Sequence, residues 1–188
     1  GEMCVEFLKT KVPLWCLLPM FIIIICGGIQ IGADARLHSE QRATFIQNAR
    51  VNASNAESAL NFLCSERIEE EPPEEVHAAL TQAILCSEYL SDAFWSVPVH
   101  TIFGKQRRLS DGSPITYFAY AKSELEEVRK SYDLEEKFSA EDDSVLRRYR
   151  DAYADLAEGL SDGRKLSDGQ FADCFSAFAQ AIYPHSED

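Results

Sequence analysis

The stretch IQNARVNASNAESALNFL, residues 46–63, decides the fold. Within it Ile46, Ala49, Ala53, Ala56, Leu60 and Leu63 follow one another at steps of three and four, the seam of an α-helix packed against another helix. The alanines predict a short interaxial distance, because a methyl group lets two backbones approach where a larger side chain holds them apart. No Pro or Gly interrupts residues 36–65, so the helix is expected to extend well upstream of the seam.

Upstream lies VPLWCLLPMFIIIICGGIQIGA, residues 12–33, a 22-residue run without a charge. At a helical rise of about 1.5 Å per residue it reaches roughly 33 Å, enough for the hydrocarbon core of a bilayer. One membrane crossing is predicted, with Pro13 in the first turn and Trp15 at the interface. A cleaved signal peptide is the rival reading, because Lys9 and Lys11 form a basic start and Ala33-Asp34-Ala35 resembles a small-x-small cleavage site. The apolar run exceeds the usual ~7–15 residues of a signal peptide, which favours the uncleaved span. Gly27, Gly28 and Gly32 give the second half of the run a surface of small residues, where a neighbouring membrane helix is expected to approach closely. Lys9 and Lys11 on one side nearly balance Arg36, Arg42 and Arg50 on the other. Orientation is therefore assigned as a signal anchor, with the N-terminus inside and the large domain on the translocated, periplasmic or lumenal, side.

Downstream, Glu69-Glu70-Glu71-Pro72-Pro73-Glu74-Glu75 ends the seam helix and starts the next, since proline fits a first turn and acidic residues suit its dipole. That second helix is predicted from about Pro73 to Ser91, with Val76, Leu80, Ala83 and Leu90 inward. Residues 94–113 read as irregular, around Pro98 and the GKQRRLSDGSP loop. A small β-hairpin near 97–120 is the alternative there to a loop followed by a helix. Ser113-Pro114 supports the helix, which carries Phe118, Ala121, Leu125, Val128 and Tyr132 on one face. A fourth helix is expected over about residues 140–160 with Val145, Tyr149, Ala152, Leu156 and Leu160 inward. A fifth begins at the capping box Ser167-Asp-Gly-Gln170 and buries Phe171, Cys174, Phe175, Phe178 and Ile182. The fold class is thus mainly α: a 1–11 tail, a transmembrane helix over 12–33, and an acidic helical domain over 34–188, a bundle of about five helices.

Charge narrows the partners. The chain is 188 residues long with a net charge of −13, and residues 36–188 hold 16 Lys and Arg against 28 Asp and Glu. Such a field repels phosphate backbones, so no nucleic-acid partner is predicted. Phe94, Trp95 and Phe103, crowded into the irregular segment, either cap the core or meet a partner, and with the basic Lys105, Arg107 and Arg108 beside them they are the candidate contacts to a partner or to lipid headgroups.

The chemistry-bearing residues are sparse. Cys64, Cys86 and Cys174 are an odd number of domain cysteines; Cys86 with Cys174 is the plausible bridge, and free buried thiols are the simpler state. No CxxC or Cys/His spacing supports zinc. Glu74 and His77 form one Glu-x-x-His unit where a di-metal bundle uses two, so no metal site is assigned. Phosphate loops, GxSxG and HExxH are all lacking, and no catalytic residue or cofactor is predicted. The leading reading is a non-enzymatic accessory subunit, anchored by a single span, that braces a larger membrane complex. Its partners are then other membrane protein subunits and the lipid bilayer. A membrane-anchored sensor or regulatory binding domain is the second reading, and an enzyme with a dispersed site the third.

Overall fold

A computed structural model describes residues 14–96, 114–162 and 166–183, with side chains from Ser39 onward except at Trp95, Ser96 and Asp168. The architecture is mainly helical. Helix α1 spans Leu14–Leu63, α2 Pro73–Ser96, α3 Pro114–Glu135, α4 Ala140–Gly159 and α5 Asp168–Ile182, with a 3-10 turn at Ile68–Glu70 between the first two. The chain divides into two units, Gly1–Gln41 and Arg42–Asp188. Of the first unit, the helical backbone of α1 is what the structure describes for nearly every residue.

No helix is long and apolar enough to cross a membrane among the described residues, so the span expected over 12–33 draws no support from them. Residues 12 and 13 lie outside the described set, and 14–33 enter α1 by backbone alone.

The second unit is a helical bundle around one apolar core. Helix α2 packs along α3 and α4 along α5, while α3 touches both α4 and α5. The seam residues of α1 are all covered: Ala53, Ala56 and Leu60 are fully buried, Leu63, Ala49 and Ile46 nearly so. A ring cluster fills the centre. Phe94 of α2 meets Phe45 of α1 at 4.7 Å between centroids, Phe175 of α5 at 4.9 Å and Phe118 of α3 at 5.8 Å. The first two pairs are edge-to-face, placing a ring's positive rim on a neighbour's negative face, and the Phe118 pair is stacked; both arrangements add to the area that burial removes from water.

The helix ends follow local chemistry. Ser139 caps α4 by accepting from the Asp142 N–H at 3.1 Å, while Asp142 Oδ2 accepts from the Ser139 N–H at 2.9 Å. Ser167 and Gln170 close the same box on α5. Each box satisfies N–H groups that the first helical turn cannot pair internally.

Four expectations are corrected. Residues 115–120 belong to α3, so the hairpin near 97–120 does not form there, and no strand occurs among the described residues. The apolar period of 3.6 through Phe118, Ala121 and Leu125, opened by Pro114, outweighs the β-favouring residues before it. Helix α2 runs five residues beyond Ser91, because Phe94 extends the stripe four residues past Leu90. In α4 the fully buried position is Leu146, whereas Val145 is half-buried at the edge of the core. Cys174 of α5 is likewise only half-buried.

Candidate functional site

The inward stripe of α2 runs through Val76, Leu80, Ala83, Ser87 and Leu90, and two large residues of the helix lie off it. Leu85 and Tyr89, one turn apart, are 41% and 58% exposed. They line an open groove of about 540 Å³ between α1 and α2, together with Asn52 and Asn55 of α1 and with His77 and Cys86 of α2. The α1 wall carries amide side chains, and the α2 wall mixes Leu85 and Tyr89 with the polar Glu74, His77, Thr81 and Gln82, a blend that suits a surface exchanging water for a protein face.

His77 closes one end of the groove. Its Nδ1 lies 3.3 Å from Asp133 Oδ1 of α3, and its ring stands edge-on to Tyr132 at 5.4 Å. The imidazole of the Glu74-x-x-His77 unit is thus turned to a carboxylate of α3. Among the described residues no group of three or more His, Cys, Asp or Glu side chains converges as metal ligands.

A second polar cluster joins α3 to α4. Glu124 Oε2 accepts from Arg148 Nη2 and from the Tyr149 hydroxyl, both at 2.6 Å, and Oε1 accepts from the Tyr120 hydroxyl at 2.9 Å. The Arg148 guanidinium also lies over the Tyr149 ring, 5.3 Å from its centroid. Burial, reinforced by the bond to Glu124, pushes the Tyr149 hydroxyl far above its ordinary titration range. Tyr149 therefore acts as a fixed donor and does not ionise near neutrality. A smaller pair does the same between α2 and α4. Ser87 Oγ donates to the Ala83 carbonyl at 3.0 Å, so its 2.6 Å contact with Tyr153 takes the tyrosine as donor. Burial raises the Tyr153 hydroxyl as well.

Cys64, Cys86 and Cys174 are free. Burial pushes the thiols of Cys64, Cys86 and Cys174 up, with Arg150 and Arg147 opposing it at Cys64. A protonated thiol is a poor nucleophile, so none of the three is activated for chemistry.

The residues singled out from the sequence are not gathered at one place. Gly27, Gly28 and Gly32 are helical positions of α1, and their surroundings are outside the described residues. Trp95 falls in the last turn of α2 with its side chain likewise outside, and Phe103, Lys105, Arg107 and Arg108 lie in the undescribed 97–113 segment. Of the two roles open to Phe94, capping the core or meeting a partner, the structure shows the first. At 1% exposure it belongs to the core and is not available to a partner or a headgroup. The six seam residues are interior to the bundle. Sequence reasoning missed the groove, although Leu85 and Tyr89 break the inward stripe and were visible on that ground. Glu124 carried no such signal, because its partners on α4 lie 24 and 25 residues away.

No family model matches the chain, and no curated protein and no solved structure is significantly similar to it.

Proposed function

We propose that the chain is a single-pass membrane-anchored accessory subunit that braces or assembles a larger membrane protein complex through helix–helix contacts. The observation that carries this reading is the 22-residue charge-free run over residues 12–33, most of which falls in the same helix that supplies the bundle's alanine seam. In this reading the run spans the bilayer, and Gly27, Gly28 and Gly32 bring a neighbouring membrane helix close enough for backbone packing. The acidic domain sits on the translocated side, and the exposed Leu85 and Tyr89 of the α1–α2 groove are covered by another subunit. Lys105, Arg107 and Arg108 engage lipid headgroups or an acidic surface of the complex.

The test is native purification of the tagged full chain from membranes in mild detergent. A fixed stoichiometric set of membrane proteins is expected, reduced at least severalfold by a Gly28→Leu, Trp95→Ala double variant whose domain keeps its helical circular dichroism. A chain that purifies alone, or undiminished incorporation of the variant, contradicts the reading. Association that changes only on adding a small ligand instead supports a membrane-anchored regulatory binding domain, the reading favoured by the cavity described next.

A further inference from the structure

At the end of the bundle where α1 gives way to α2 and α3 to α4, the chain forms a half-open cavity of about 550 Å³. Its floor is apolar and aromatic. Leu63 and Ile68 come from the first connection, and Tyr132 and Phe138 from the second, their rings 4.8 Å apart and tilted by 36°. Its rim is acidic. Glu69, Glu71, Glu136 and Asp143 line it against one ammonium group, that of Lys137. Asp143 is taken by Arg147 at 2.8 Å, whereas Glu69, Glu71 and Glu136 have no ion pair among the described residues.

Tyr132 supplies a separate pointer. It is 94% buried, since only 6% of it is exposed, and it lines this cavity. Its ring packs against Phe138 and against His77, and its hydroxyl makes no hydrogen bond with any described residue. Burial, with the nearby Glu136 carboxylate second, raises its titration above the ordinary tyrosine range and keeps it a neutral donor and acceptor. The volume lies within the usual ~300–1,000 Å³ of small-molecule sites.

We infer that this cavity binds a primary organic ammonium ion carrying an aromatic or aliphatic body. The apolar body lies on Leu63, Ile68 and Phe138, which removes its surface from water. The ammonium head meets the faces of Tyr132 and Phe138, where ring quadrupoles attract cations, and the Glu71 and Glu136 carboxylates at the rim. The Tyr132 hydroxyl accepts one of its three N–H bonds. A carboxylate or phosphate ligand is disfavoured by the same rim. The site is independent of the membrane reading, since every group in it belongs to the bundle.

The experiment is calorimetric titration of the full chain in zwitterionic nanodiscs with phenethylammonium. It is run at about 0.15 M salt, where the Debye length is about 8 Å and the chain's general acidity is largely screened. Empty nanodiscs serve as blank. Saturable one-to-one binding is expected, with 2-phenylethanol, the neutral analogue, binding at least tenfold more weakly. Glu71→Gln and Glu136→Gln should each weaken binding about three- to fivefold. Tyr132→Phe, which keeps the ring, should weaken it about threefold. Glu158→Gln removes the same charge near the other end of α4, 15 residues from Asp143 and so roughly 22 Å away, and should leave binding unchanged. Absence of saturable binding overturns the inference, as does equal affinity for the neutral analogue or indifference to the Glu71 and Glu136 variants.

Discussion

The Tyr149 hydroxyl donates to Glu124 Oε2 at 2.6 Å, and the same oxygen receives Arg148 Nη2 at the same distance. One carboxylate oxygen thereby ties two successive residues of α4 to α3. Both side chains of the ion pair are mostly covered, 22% exposed for Glu124 and 27% for Arg148. Loss of the acceptor leaves a buried hydroxyl and a partly buried cation unpaired, which costs more than the bond itself contributes. Glu124→Ala is expected to destabilise the domain by about 2–3 kcal/mol, and Tyr149→Phe by about 1 kcal/mol, in urea unfolding at pH 7. Equal effects from the two variants would show that the carboxylate has no special place in the junction.

Alkaline pH supplies a second expectation. Tyr149 and Tyr153 titrate above the ordinary value of 10.0 in the folded chain, chiefly through burial. Above that value the unfolded chain releases these protons while the native chain keeps them. Stability is therefore fully present below about pH 10 and falls as pH rises beyond it, by up to roughly 1.4 kcal/mol per pH unit for each group. The urea midpoint should drop between pH 9 and 11 less steeply in a Tyr149→Phe, Tyr153→Phe variant than in the parent. Parallel profiles would remove these two tyrosines from the alkaline response.

The alanine seam of α1 gives a packing test. Ala53 and Ala56 are fully buried, so Leu at either position has no room without moving a neighbour. Each substitution is expected to cost about 1–3 kcal/mol, read from thermal or urea unfolding. Unchanged stability in both variants would mean that the covering side chains yield freely.

Phe94 touches rings from three other helices, and truncation to Ala leaves a void among Phe45, Phe118 and Phe175. The expected cost is about 3–5 kcal/mol, enough to lower the thermal midpoint well clear of experimental error. A loss below 1 kcal/mol would place Phe94 outside the cooperative core.

Near the end of α4, a Cβ at Gly159 would stand 2.8 Å from Cys174 Sγ of α5. Alanine normally gains up to about 1 kcal/mol over glycine in a helix, and here the sulfur opposes that gain. Gly159→Ala alone should be neutral or destabilising, and it should become stabilising in a Cys174→Ala background. A double-mutant cycle with no coupling would show that the thiol simply rotates aside.

These particulars show where the sequence is legible. Residues 46–63 carry their helix openly, because the spacing is local and the alanines mark a close neighbour. The capping box at Ser167 is equally local and forms as its residues suggest. Phe94 was not legible in the same way. Two β-favouring valines and Pro98 follow it, and only tertiary packing shows that the helix continues through it to Ser96. The choice between Val145 and Leu146 is a matter of helix rotation, since either lies one turn before Tyr149. The Glu124 junction and the Tyr132 cavity depend on which helices become neighbours, and no spacing within one helix encodes that.

The central claim is the membrane anchor, and alkaline carbonate extraction of native membranes, followed by mass spectrometry of the retained chain, tests it most directly. The chain is expected to stay in the membrane pellet and to yield peptides covering residues 12–33 joined to those beyond Arg36. Release into the soluble fraction, or a chain whose N-terminus begins near Arg36, contradicts it.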